Sequence, residues 1–215
     1  TGVQPCALPI SISFPYTLDT GSGAKPYNGS LLIKPVNDAP VITSTLQRGA
    51  VSEDNPNASS ASGRVIASDV DSTDTLSFST ANTAAYGAFS LNSTTGAWSY
   101  TLDNSKSAVQ SLAAGQSLIE SFTVNVADGQ GGFASQTVTV SINGTNDAPL
   151  ITSTLQRGAV SEDNPNASSA SGRVIASDVD STDTLSFSTA NAAAYGAFSL
   201  RSEEHTSELQ SRQYL

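Results

Sequence analysis

Two copies of one acidic hexapeptide, Asp69-Val-Asp-Ser-Thr-Asp74 and Asp178-Val-Asp-Ser-Thr-Asp183, are the densest groups of ligand atoms in the chain. In an extended backbone residues i and i+2 project to the same side about 6.6 Å apart. Asp69 with Asp71, and Asp178 with Asp180, can therefore aim two carboxylates at one hard cation while the intervening Val faces a core. Further oxygens come from Glu53-Asp54, from Asp103, from Asp128 ahead of Gly129-Gln-Gly-Gly132, and from the pairs Asn37-Asp38 and Asn146-Asp147. A set of oxygens without imidazole or thiolate selects calcium or magnesium over zinc. The hexapeptide is not an EF-hand loop, because its sixth position is Asp74 in place of Gly and its twelfth is Thr80 in place of Glu. Taken alone, such a run also reads as an ordinary solvated turn.

The wider composition removes most competing chemistry. Nineteen acidic side chains against nine basic ones leave a net charge of −10, which argues against nucleic acid and anionic membrane as partners. No run of about eighteen apolar residues occurs, so a membrane span is not expected. The single Cys is Cys6 and the single His is His205, each near an end of the 215-residue chain. Between residues 11 and 200 there is consequently no thiol nucleophile, no disulfide, no Cys or His zinc site and no Ser-His-Asp triad.

The elements that must position the acids are organised by a repeat. Residues 37–91 match residues 146–200 at a constant offset of 109, and only Val41/Leu150 and Thr83/Ala192 differ. All similarity stops after Leu200. Residues 201–211 resemble the translation of a sequencing-adapter oligonucleotide, and residues 1–10 resemble its reverse complement, so residues 1–10 and 201–215 are set aside and the tail is expected to be disordered. Three pieces remain: residues 11–40 as the end of a preceding module, 41–149 as one complete module, and 150–200 as the truncated start of the next. Asn37-Asp-Ala-Pro40 and Asn146-Asp-Ala-Pro149 mark the junctions, and each Pro holds the residue before it extended. In the first piece Phe14, Tyr16 and Leu18 run one residue out of phase with Phe122, Val124 and Val126, which makes it a related but different module.

Within residues 41–149 the apolar pattern has a period of two. Trp98, Tyr100 and Leu102 alternate with small polar residues, as do Phe122, Val124 and Val126, and then Val138, Val140 and Ile142. With segments near Val41, Val65 and Leu76–Phe78, about seven strands separated by Gly, Asn, Asp and Ser predict an all-β antiparallel two-sheet sandwich. One helical turn is expected within Ser107–Gln116, closed by Gly115. The alternation assigns Trp98 and Tyr100 to the core rather than to a sugar-stacking surface.

Ser52-Glu-Asp54, Ala67-Ser-Asp-Val-Asp71, Gly96-Ala-Trp-Ser-Tyr-Thr-Leu-Asp-Asn104, Val109-Gln-Ser-Leu-Ala-Ala-Gly115, Phe122-Thr-Val-Asn-Val-Ala-Asp-Gly129 and Gly144-Thr-Asn-Asp-Ala-Pro149 together closely resemble the VCBS repeat of large bacterial RTX-type surface adhesins. The resemblance covers residues 38–200. It implies tandem cadherin-like, Ig-like sandwiches in an extracellular or cell-surface protein, exported by type I secretion and used in cell adhesion and biofilm formation.

It further implies calcium between successive modules. An early Glu and loop acids of the upstream module, an Asn-Asp pair in the linker and a D-x-D of the downstream module would share the ions. On this chain these are Glu53, Asp103, Asn146, Asp147, Asp178 and Asp180 at one junction, and Asn37, Asp38, Asp69 and Asp71 at the other. Leu102-Asp-Asn-Ser105 departs from the cadherin pattern, which carries a second acid there.

The expectation is a non-enzymatic structural segment whose partners are neighbouring repeats of the same chain, with glycan or protein surfaces engaged through other domains. A carbohydrate-binding or spacer module of a secreted enzyme is the alternative. A catalytic reading would rest on Glu53 with Asp54, as in glycoside hydrolysis, but adjacent strand residues point apart.

Overall fold

In this computed structural model the described residues are 10–190, 193–203 and 210–214. The strands in chain order are β1 (Ile10–Asp19), β2 (Ala24–Ile33), β3 (Val41–Ile42), β4 (Gln47–Ser52), β5 (Ser60–Arg64), β6 (Ala67–Ser68), β7 (Ser77–Ser79), β8 (Gly87–Leu91) and β9 (Ala97–Leu102). A single helical turn, α1 (Ser107–Gln110), precedes β10 (Ser117–Ala127), β11 (Phe133–Asn143), β12 (Leu150–Ile151), β13 (Ser171–Val174), β14 (Ala176–Ser177), β15 (Ser199–Glu203) and β16 (Gln210–Tyr214). The chain is an all-β protein, as the alternation predicts. Among the described residues no helix is long and apolar enough to cross a membrane.

Two compact units are formed. The first draws on Thr1–Val51, Asn57–Leu102 and Ile119–Ser141, the second on Ser52–Pro56, Asp103–Leu118 and Ile142–Leu215.

The sandwich has one sheet ordered β4-β11-β10-β7 and another ordered β5-β9-β8. Period-two alternation sends Trp98, Tyr100 and Leu102 of β9 and Phe122, Val124 and Val126 of β10 inward, all 8% exposed or less. The sheets meet through aromatic rings: Phe89 stacks on Phe122 at 4.0 Å and on Trp98 at 6.0 Å. Tyr100 and Ala85 pin this core to one buried carboxylate, since the Tyr100 hydroxyl donates to Glu120 Oε2 at 2.5 Å and the Ala85 N–H donates to Glu120 Oε1 at 2.5 Å. The predicted strand around Val65 is divided: Val65 and Ile66 separate β5 from the short β6, which pairs with β3.

In the same unit β1 and β2 form a ten-pair antiparallel hairpin. Its Ile12, Phe14, Tyr16, Leu18, Tyr27 and Leu31 are all at least 44% exposed.

The second unit carries a buried cluster of Val109, Leu112, Ala113 and Ile142 beside α1. Its repeat begins with β12 paired to β14, in the register of β3 with β6. β16 lies between β13 and β15, while residues 204–209 of the tail expected to be disordered lie outside the described residues. Backbone amides along an open sheet edge pair with any extended segment, whatever its origin.

Candidate metal centres

Acids gather around Asn37-Asp38 and around Asn146-Asp147, and each gathering lies within one unit. In the first unit the chain leaves β6 through a turn in which the Asp71 N–H donates to Asp69 Oδ1 at 2.9 Å, the Asx geometry that short acidic side chains favour. Asp71 is 3% exposed, and its Oδ2 accepts the Asp38 N–H at 2.8 Å. The linker is thereby fastened to the hexapeptide. Asn37 Nδ2 donates to Asp128 Oδ2 at 2.9 Å, and Asp128 Oδ1 accepts the N–H groups of Gln130, Gly131 and Gly132 at 2.7–3.0 Å. Any side chain at Gly132 would collide with that carboxylate, so the loop after β10 needs glycine there.

Asp69, Asp74 and Asp128 each place a carboxylate oxygen within 4.8 Å of the others. Asp69 Oδ2 and Asp74 Oδ2 are buried without a hydrogen-bond partner. Withdrawal from water raises the Asp74 pKa, and the charges of Asp71, Asp69 and Asp128 raise it further. Asp128 moves the other way, lowered by the Asn37 hydrogen bond and by the three backbone donors.

The second unit repeats the arrangement and adds an upstream acid. Glu53 follows β4, and its N–H donates to the Asn143 carbonyl at 3.1 Å. The side chain is fully buried: Oε1 accepts the Thr145 N–H at 2.8 Å, while Oε2 has no partner. Asp54 then takes a left-handed backbone, φ 51°, which acidic residues tolerate in turns. Its carboxylate accepts Asn104 Nδ2 at 2.6 Å and Gln110 Nε2 at 3.1 Å, which holds its pKa below the ordinary range.

The Asp147 N–H donates to Asp180 Oδ2 at 2.8 Å, and the Asp180 N–H donates to Asp178 Oδ1 at 3.1 Å. Asp178, Asp180 and Asp183 form the acidic triplet. Asp147 Oδ2 and Asp180 Oδ1 are buried and unpartnered. Burial raises Glu53, with repulsion from Asp147, Asp54 and Asp180 added; burial likewise raises Asp147, followed by Asp54.

Of the residues expected from sequence, Glu53, Asp147, Asp178 and Asp180 come together, as do Asp38, Asp69 and Asp71, with Asn37 orienting Asp128. Asn146 is exposed and turns its amide onto the Asp147 carbonyl at 2.6 Å. Asp103 spends its Oδ1 on the N–H and hydroxyl of Ser105 and pairs weakly with Lys106 at 3.9 Å, so it stays with its own loop. The expected ligand set omits Asp54, Asp74, Asp128 and Asp183. The third acid of each hexapeptide and the Asp-Gly before the Gly-rich turn were the available signals.

The donor set fits a hard cation. Among the described residues five buried carboxylate oxygens have no hydrogen-bond donor, and their desolvation is otherwise uncompensated. Trp98 and Tyr100 are 3% and 0% exposed, so they offer no stacking face to a sugar.

Residues 37–144 match the bacterial cadherin-like domain. Among solved structures the chain is similar to extracellular cadherin domains 1–4 of protocadherin gamma B7, with 21% identity and a TM-score of 0.51 over 94% of this chain and 48% of that one. It is similar to EC1–4 of PcdhgB3 with 18% identity and a TM-score of 0.51, over 95% and 48%. The chain thus spans about half the length of these proteins, and the likeness is one of fold. No curated protein matches it.

Proposed function

The chain belongs to the bacterial cadherin-like domain family, and we propose that it is a non-catalytic structural segment of an extracellular bacterial adhesin of the VCBS type, stiffened by calcium at its module junctions. The observation that carries this reading is the set of orphaned buried oxygens on Glu53, Asp147 and Asp180, with its counterpart on Asp69 and Asp74. Calcium would be held by these residues together with Asp71, Asp128, Asp178 and Asp183. The ion would supply positive charge to offset the burial, and after it the mutual repulsion, that raise Glu53, Asp74 and Asp147.

The protein's own groups do the rest. Asp38 and Asp147 hook their amides onto Asp71 and Asp180, and Asn37 orients Asp128, so the oxygens are gathered before any ion arrives. Modules 41–149 and 150–200 would be beads of one tandem array, with residues 11–40 ending the bead before. The uncovered apolar face of β1 and β2 fits a hairpin that belongs to a larger sandwich. Its partners are neighbouring repeats, and adhesion itself falls to other domains.

Melting the full chain with chelator and with millimolar calcium tests this. A ligand at a hundred times its dissociation constant stabilises by about 2.7 kcal/mol, so a clear rise in Tm is expected. Asp180→Asn and Asp178→Asn should each reduce the rise, Asp180→Asn more. An unchanged transition removes calcium from the reading.

A further inference from the structure

The second repeat contains a cavity whose lining repeats residues that surround Trp98 in the first. A cavity of about 190 Å³ is lined by Gln156, Gly158, Ser171, Gly172 and Phe198, among others. At the 109-residue offset their counterparts are Gln47, Gly49, Ser62, Gly63 and Phe89, and four of these enclose Trp98. A Cβ on Gly63 would lie 2.7 Å from Trp98 Cζ2, and one on Gly49 would lie 3.2 Å from Cη2. Phe89 stacks against the indole at 6.0 Å, and Gln47 Oε1 accepts the indole N–H at 3.1 Å. At the same offset the sequence has Ser207 in place of a tryptophan.

The polar acceptor is preset in both places. Gln47 Nε2 donates to the Thr45 carbonyl at 3.0 Å, and its Oε1 also accepts the Arg64 N–H at 3.1 Å. Gln156 repeats both bonds, to Thr154 at 2.8 Å and from Arg173 at 3.0 Å. Its carboxamide is therefore locked with the oxygen beside the cavity and a lone pair free for one more N–H. The strand slot is preset too. Gly63 pairs with Trp98 and Leu91 pairs with Trp98; Gly172 and Leu200 both pair with Gln213 of β16, in the same register. Thus β16 occupies the backbone position of β9.

We propose that the slot bounded by β13 and β15 binds an extended strand that carries tryptophan among small residues, on the pattern of Gly96-Ala-Trp-Ser-Tyr-Thr-Leu102, with the indole in the cavity and its N–H on Gln156 Oε1. Strand addition supplies main-chain affinity, and the pocket supplies selectivity. The occupant displaces β16 without loss of ladder bonds and gains indole burial that the β16 register does not provide through a tryptophan.

The test uses the full chain and a synthetic peptide of the Gly96–Leu102 sequence labelled with 5-fluorotryptophan, followed by fluorine NMR. Because β16 competes within the chain, peptide is taken to millimolar concentration, and Arg212→Pro, which removes a ladder donor from β16, is run in parallel. A saturable shifted resonance is expected, tighter with Arg212→Pro. The peptide with alanine for tryptophan should bind roughly 30- to 100-fold more weakly. Gln156→Leu should weaken the labelled peptide roughly five- to tenfold, and Gly172→Val, which fills the cavity, should abolish binding. No shifted resonance even with Arg212→Pro, or equal binding of the alanine peptide, overturns the proposal. Equal binding of free 5-fluoroindole overturns its strand component.

Discussion

A 55-residue stretch occurs twice in this molecule with two substitutions, and the two copies do not fold alike. Gln47–Ser52 is strand β4 in the first repeat, whereas the identical residues 156–161 carry no strand in the second. Val51 is 1% exposed and its twin Val160 56%; Glu53 is buried and Glu162 exposed. What recurs is the local structure: β3 with β6 and β12 with β14 in one register, the left-handed Asp54 and Asp163, and the acidic turn after each short strand. What differs is everything that β9, β10 and β11 would supply. Strand formation here follows the available partner rather than residue preference.

The comparison can be broken most forcefully at Trp98. Trp98→Ala should cost about 3–5 kcal/mol of unfolding free energy, as large-to-small core changes do, and should leave the first repeat with the vacancy that the second already has. Urea unfolding followed by circular dichroism measures it. A loss below about 1 kcal/mol would mean that the indole is not what separates the copies.

Glu120 gives a smaller effect. Glu120→Ala removes the carboxylate that accepts from the Tyr100 hydroxyl and the Ala85 N–H, at about 1–3 kcal/mol. Faster hydrogen exchange at Ala85 should accompany the loss, bringing that loop closer to its counterpart before the fully exposed Tyr195.

The smallest expected effect is in pH. Glu53, Asp74 and Asp147 have folded-state pKa values above their ordinary 4.5, 3.8 and 3.8. The stability they contribute is full below those values and is lost as pH rises through the folded pKa. Asp54, Asp103 and Asp128 are lowered, so their contribution exists above 3.8 and disappears as pH falls further. Without divalent ions, Tm should therefore rise as pH falls from 7 towards about 4.5. In calcium the slope should reverse, since protons then compete with the ion. Parallel slopes in the two conditions would separate the acids from any cation.

Much of the sandwich was legible because Trp98, Tyr100, Leu102 and the valines of β10 and β11 alternate without interruption. A helical turn within Ser107–Gln116 was legible, but not its end: α1 stops at Gln110 with Ser111 as its cap, ahead of Leu112, Ala113 and the Gly115 expected to close it. The break between β5 and β6 was not, because Val65-Ile66 offers an apolar residue to either face and only its partners decide. In the centres the i, i+2 spacing of Asp69 and Asp71 predicts two carboxylates on one side with Val70 in a core; instead a turn bonds the Asp71 N–H to Asp69 Oδ1, Val70 is 44% exposed, and the acidic triplet is Asp69, Asp74 and Asp128. The role of Asp128 depended on Asn37, 91 residues away in the chain, and no local pattern encodes such a contact. Asp103 illustrates the reverse: a hydroxyl two residues on claimed it, a short-range competition invisible to positional mapping.

The amide of Asp147 on Asp180, and its twin from Asp38 to Asp71, moor each linker to the loop behind it by a bond that needs no ion. Each of these bonds spans 33 residues of chain, so a repeat that keeps its short strand pair and acidic turn also keeps the Asn-Asp-Ala-Pro segment in place.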